Sequence, residues 1–178
     1  MELVGVILSE NLSWYKNTQY ICGKARQKLW ILRRLLKFNL DTTTLFDVYT
    51  KEIRSILELA VPVWHSGLTK QQSASIEKIQ KISFKIILGE NFRNYTQACR
   101  MLSAQTLEER RLKLCLNFAR KNLKSPNSFF TKIEPKINTR GRKSVVKEYK
   151  CRTDRFQKSS LPYLAKLLNQ NSKTRAKQ

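Results

Sequence analysis

The chain has 178 residues, with 35 Lys or Arg against 13 Asp or Glu, a formal net charge of +22 and a pI of about 10.2. Such an excess calls for a polyanionic partner, nucleic acid first and an anionic surface second. A hydrophobic content of 41% with 10% aromatics excludes a wholly disordered basic tail, and no apolar run approaches the ~20 residues of a membrane span.

Gly (5) and Pro (4) are scarce, which favours helices over a turn-rich β fold. Cys22, Cys99, Cys115 and Cys151 lie far apart and form no CxxC pair. Their spacing points to reduced thiols in an intracellular setting, cytoplasmic or nuclear. With His65 the lone histidine, no zinc-finger set is available locally.

In chain order, the β-branched run at residues 3–8 predicts one strand, and no convincing partner strand follows it. Ser13 is placed to cap a helix over residues 14–37, with Trp14, Ile21, Ala25, Leu29, Leu32 and Leu36 at helical spacing. Asn39 and Asp41 interrupt and restart it. Leu45, Tyr49, Ile53, Ile56, Ala60 and Trp64 mark a second helix, bent or ended by Pro62. Thr69 caps a third, with Ile76, Ile79, Phe84, Ile86 and Ile87 on its buried side and Gly89 as its stop. A short helix follows over 95–102. Thr106 and Glu109 have capping-box spacing ahead of a helix to about residue 122, whose apolar side carries Leu112, Cys115, Leu116, Ala119 and Leu123.

At Ser125 the texture changes. Residues 129–178 carry 14 basic and 3 acidic side chains, +11 over 50 residues, against +11 over the preceding 128. Residues 125–150 read as a basic, partly disordered segment. Residues 159–169, with Pro162 in the first turn, predict a last helix. The fold expected is mainly α: about five or six helices, a short N-terminal strand and a basic C-terminal segment. Leu32, Leu36, Ile53, Ile56, Ile79 and Ile86 are the leading core positions.

Catalytic signals are weak. Polymerases, nucleases and phosphatases need clustered carboxylates for divalent metals, whereas Asp41, Asp47 and Asp154 are isolated. Glu108 and Glu109 fit the first turn of a helix. His65 beside Ser66 lacks a glycine-flanked nucleophile and reads as a helix-terminal histidine. No metal, cofactor or small-molecule substrate is implied. The binding candidates are basic. Lys24, Arg26, Lys28, Arg33, Arg34 and Lys37 lie along the first long helix, with Trp30 among them for stacking. Arg140, Arg142, Lys143, Lys147, Lys150, Arg152 and Arg155 form a polybasic tail that could serve RNA, DNA, a membrane surface or nuclear import.

An ordered set of motifs then suggests a family. VGVILSENLSW (4–14) leads to the Leu-Arg-Arg-Leu of residues 32–35. PVWHSGLTKQQ (62–72) precedes IEKIQKISFKIILG (76–89), and TLEERRLKLCLNFARK (106–121) precedes CRTDRFQKSSLPYLAKLLN (151–169). In this order they resemble the C-terminal end of reverse transcriptases of LINE-type, non-LTR retrotransposons, in the jockey-like and related clades. The resemblance spans nearly the whole chain. It implies a remnant of the palm and primer-grip strand over 1–12, a thumb-like three-helix region over 13–90, C-terminal extension helices over 91–124, a basic linker over 125–152, and a tail helix with frayed end over 153–178. Family members often have His where Asn17 stands. The family's catalytic aspartates lie in the palm and its fingers further upstream, so the chain is expected to be non-catalytic. Its expected role is to grip RNA, DNA or an RNA–DNA hybrid without sequence preference, beside a palm and fingers if it belongs to a longer protein. The competing readings are an independent helical nucleic-acid-binding or chromatin-associated adaptor with a polybasic arm, and a decayed element copy without function.

Overall fold

A computed structural model of the chain describes residues 1–11, 13–133 and 145–175. It is mainly helical, with a short N-terminal sheet. Two compact units emerge, the first comprising Met1–Ala60 and Leu68–Arg110, the second Val61–Gly67 and Arg111–Gln178.

In the first unit the N-terminal segment departs from the single strand expected. It folds on itself as β1 (Glu2–Leu3) and β2 (Val6–Ile7), antiparallel, with Glu2 opposite Ile7 and Leu3 opposite Val6. The turn needs left-handed backbone at Val4 (φ 50°) and Gly5 (φ 79°). A side chain at Gly5 would also meet Leu59 Cδ2 at 2.9 Å, so only glycine suits both constraints. The strand therefore finds its partner within the same N-terminal segment. Asn17 fastens the hairpin to the next helix, accepting from the Ile7 N–H at 3.0 Å.

That helix, α1 (Tyr15–Leu36), buries Ile21, Cys22, Ala25, Leu29 and Leu32. Ser13 does not cap it: Trp14 occupies the cap position and no side chain bonds there. Leu36, expected in the core, is 38% exposed, because it is the last helical residue and projects past the apolar stripe. Asp41 caps α2 (Thr42–Val48), accepting from Thr44 N–H at 3.0 Å. The chain then passes through a π-helical stretch (Tyr49–Arg54) into the short α3 (Ser55–Leu57). Leu45, Tyr49, Ile53 and Leu57 are all buried. A four-residue spacing drifts by about 40° per step in a pure α-helix, and the wider π turn offsets that drift, keeping the four on one side. Ile56, one place off this stripe, is half-buried.

Of the two outcomes expected near Pro62, a bend or an end, the helix ends, and it does so before the proline. Ala60 takes φ 50°, and α4 (Val61–Trp64) starts afresh in the second unit. Pro62 sits in its first turn, where a missing N–H costs little.

The longest remaining helix of the first unit, α5 (Lys70–Leu88), is capped by Thr69 as expected, and the structure adds a capping box. Thr69 Oγ1 accepts from Gln72 N–H and Gln72 Oε1 from Thr69 N–H, worth ~1 kcal/mol. It ends at Gly89, φ 51°. Ile76, Ile79, Phe84 and Ile87 pack inward and Ile86 is half-buried. Asn94 caps α6 (Tyr95–Met101). A polar chain crosses the core here. Tyr49 Oη donates to Gln80 Oε1 at 2.5 Å, and Gln80 Nε2 donates to Tyr95 Oη at 2.8 Å and Gln105 O at 3.0 Å. Tyr95 in turn donates to Glu77, which also accepts the Leu107 N–H at 2.9 Å. Desolvation keeps both phenols well above their ordinary range, so they act as fixed donors.

The box of Thr106 and Glu109 forms as its spacing predicts, at 3.1 and 3.2 Å, and opens α7 (Leu107–Lys124). Within the second unit Cys115 and Ala119 are buried, but Leu112 is 38% exposed. α8 (Asp154–Gln157), capped by Thr153, precedes α9 (Ser160–Arg175). Leu164, Ala165 and Leu168 of α9 are buried, and Ser160 Oγ donates to Pro62 O at 2.7 Å.

The described parts of the basic segment are pinned. Lys132 and Val146 form an antiparallel bridge, with Ile133 N–H to Val145 O at 3.1 Å and Lys147 N–H to Thr131 O at 2.9 Å. Phe130 and Val146 are buried beneath it.

Candidate nucleic-acid interface

Residues of an α-helix are spaced about 100° apart around its axis. Arg26, Trp30, Arg33, Arg34 and Lys37 accordingly share one side of α1, away from Ile21, Ala25 and Leu29. Lys24 and Lys28 fall on the other flank of the buried stripe. Their ends are engaged there: Lys24 Nζ stands 4.3 Å from the centre of the Tyr20 ring, and Lys28 Nζ contacts Glu52 Oε2 at 3.0 Å. The tyrosine hydrogen bond raises the Lys24 pKa further. The seven helix-one candidates thus divide into a set of five and a pair with local work of its own.

The set of five ends in a cleft of about 510 Å³ formed by Trp30, Arg33, Arg34, Lys37 and Phe38. Among the described residues no carboxylate pairs with these three cations. Arg33 and Arg34 occupy the last turn of α1, where the helix dipole favours positive charge by ~0.3–1 kcal/mol each. That accounts for two cations. It does not account for the aromatics: Trp30 is 57% exposed and Phe38 68%. A large ring left in water beside clustered cations is suited to stacking on bases or sugars while the cations meet phosphate. Phe38 was missed in the sequence reading because it lies beyond the helix. Its signal was its position, one residue after Lys37 and eight after Trp30.

Toward its N-terminus the same side of α1 borders a cleft of about 450 Å³, lined by Gln19 and Arg26 and, from the start of α5, by Thr69 and Ser75. The accessible stripe therefore continues along α1 from this cleft to the cationic and aromatic one.

In the second unit, Lys147, Lys150, Arg152 and Arg155 are exposed; Arg140, Arg142 and Lys143 lie outside the described residues. Aromatics are interleaved here too. Tyr149 and Phe156 meet edge to face at 6.3 Å, Tyr149 Oη donates to Phe129 O at 3.0 Å, and Phe129 and Phe156 are 59% and 42% exposed. The alternation of aromatic and basic residues over 147–156 was the available signal.

His65 lies in a 3₁₀ turn (His65–Gly67), its ring edge-on to Tyr163 at 5.7 Å. Burial, and secondarily the Arg111 charge, lowers its pKa from the ordinary 6.5 to about 4, so the imidazole is neutral at pH 7. Its Nδ1 is buried and has no hydrogen-bond partner among the described residues. Cys115 is buried in the same unit, and burial pushes its thiol up to about 12. Among the described residues no group of three or more His, Cys, Asp or Glu is placed to hold a metal ion, and no helix is long and apolar enough to cross a membrane.

No protein-family model matches the chain, and no curated protein or solved structure is significantly similar to it.

Proposed function

We propose that this chain holds RNA, or an RNA–DNA duplex, without sequence preference and without catalysis of its own, as the resemblance to the thumb and C-terminal extension of LINE-type reverse transcriptases implies. The observation that carries the reading is the α1 cleft, where Arg33, Arg34 and Lys37 surround the exposed Trp30 and Phe38. Charge without an array of Asn and Arg for paired base contacts suits backbone gripping rather than base readout. The exposed basic and aromatic residues of the second unit add a further phosphate-binding surface.

Titration of the full chain with a labelled RNA–DNA duplex at several salt concentrations tests this. About five phosphate contacts give a slope of log K against log salt near −4. Arg33→Glu with Arg34→Glu should flatten the slope by about 2 and weaken all sequences alike. A salt-independent affinity, or a loss confined to one sequence, overturns the proposal.

One observation favours the independent module as a second reading: β1 and β2 pair with each other, so the expected strand finds a partner within this chain. Cooperative unfolding of the isolated chain, with duplex binding retained, is the result expected of a module.

A further inference from the structure

A second basic surface of the first unit is distinct in chemistry from the α1 cleft. Between α5 and α6 runs a groove of about 580 Å³ with Ile82, Phe92 and Tyr95 as its apolar floor and Lys78, Lys81 and Lys85 along one side. All three lysines are exposed, and among the described residues none is ion-paired. The one carboxylate among the lining residues, Glu77, is turned to the Tyr95 hydroxyl and the Leu107 N–H, and three lysines against it leave the groove with a net positive charge.

The floor separates two classes of acidic occupant. A nucleic acid strand needs ring faces open to its bases, as at Trp30 and Phe38. Here Phe92 and Tyr95 are half-buried, and Tyr95 is tied inward by its bonds to Glu77 and Gln80. What remains accessible is a shallow apolar trough beside a row of point charges. Lys78 and Lys85 are separated by about 10 Å along α5, the length of two helical turns. An incoming helix with an apolar stripe at i, i+3 or i+4, and i+7 would seat that stripe on Ile82 and Phe92. Carboxylates flanking the stripe would meet the three ammonium groups, and lysine, a compact charge on a flexible stem, tolerates small differences in their spacing.

We propose that the α5–α6 groove is a docking site for a short acidic amphipathic helix of a partner protein. The test uses the full chain and a fluorescent helical peptide with Leu at i, i+3, i+4 and i+7 flanked by Glu, beside a scrambled peptide of identical composition. The patterned peptide should bind at least about tenfold more tightly than the scrambled one, and Lys78→Glu, Lys81→Glu and Lys85→Glu together should abolish that preference. Arg33→Glu with Arg34→Glu should leave the preference intact. Ile82→Asp, at a half-buried position, should also remove it, with circular dichroism confirming the helical content. Equal binding of the two peptides overturns the proposal. So does a preference that survives the triple lysine variant. If that variant instead weakens RNA–DNA duplex binding as much as the arginine pair does, the groove belongs to the nucleic acid surface and the proposal also falls.

Discussion

Asn169 holds Val146 by both ends of its amide. Its Oδ1 accepts the Val146 N–H at 3.1 Å and its Nδ2 donates to the Val146 carbonyl at 3.0 Å. The same Oδ1 takes the Val145 N–H at 2.9 Å, and Nδ2 also reaches Glu148 Oε1 at 3.1 Å. The side chain is fully buried. One amide on α9 thus does for the segment at residues 145–148 what a neighbouring strand does in a sheet.

Asn169→Leu keeps the bulk and removes every one of these bonds. Buried backbone groups left without partners cost about 1–3 kcal/mol each, so a loss of about 3 kcal/mol is expected in denaturant unfolding. Limited proteolysis should then cut between residues 125 and 150 at least tenfold faster. An unchanged cleavage rate would show that the bridge of Lys132 and Val146 holds without Asn169.

His65 makes stability depend on pH in a defined window. Its folded pKa, about 4, lies below its ordinary 6.5. Between those values the unfolded chain binds more protons than the folded one, so stability rises with pH there. The contribution is complete above pH 6.5 and is lost progressively as pH falls toward 4. Denaturant midpoints measured from pH 7.5 to 4 should decline across this range, and His65→Gln should flatten that part of the curve.

Trp30 is expected to contribute binding but little stability. It is more than half exposed, so Trp30→Ala should change unfolding by less than about 0.5 kcal/mol. Loss of one stacked base or sugar should weaken single-stranded RNA binding by about 1–3 kcal/mol. Unlike the arginine pair, it should leave the salt slope where it was. Paired titrations of the two variants separate stacking from charge.

Much of the local structure was legible from the chain because its signals are local. The cap at Thr69, the box of Thr106 and Glu109, the stop at Gly89 and the stripe of Ile21, Ala25, Leu29 and Leu32 all depend on residues within a few positions of one another. The hairpin was less legible: the apolar run over 3–8 reads as one strand unless Val4 is allowed positive φ, which a β-branched residue rarely adopts. The stripe of Leu45, Tyr49, Ile53 and Leu57 was misregistered because strict α periodicity favours Ile56 over Leu57. Asn17 showed only its polarity, and its bond to Ile7 exists only once the hairpin has turned.

By itself the sequence determined the charge excess, the helical character and most helix boundaries, since composition and short-range spacing carry these. Only the tertiary structure decided which cations share a surface. It placed Arg26, Arg33, Arg34 and Lys37 on one side of the first helix and Lys24 and Lys28 beside Tyr20 and Glu52, left Trp30 and Phe38 in water, and turned Tyr95 inward while lining α5 with lysines. The physical reason is that charge belongs to the residue, whereas whether that charge is paired, screened or presented beside an aromatic ring is set by neighbours distant in the chain.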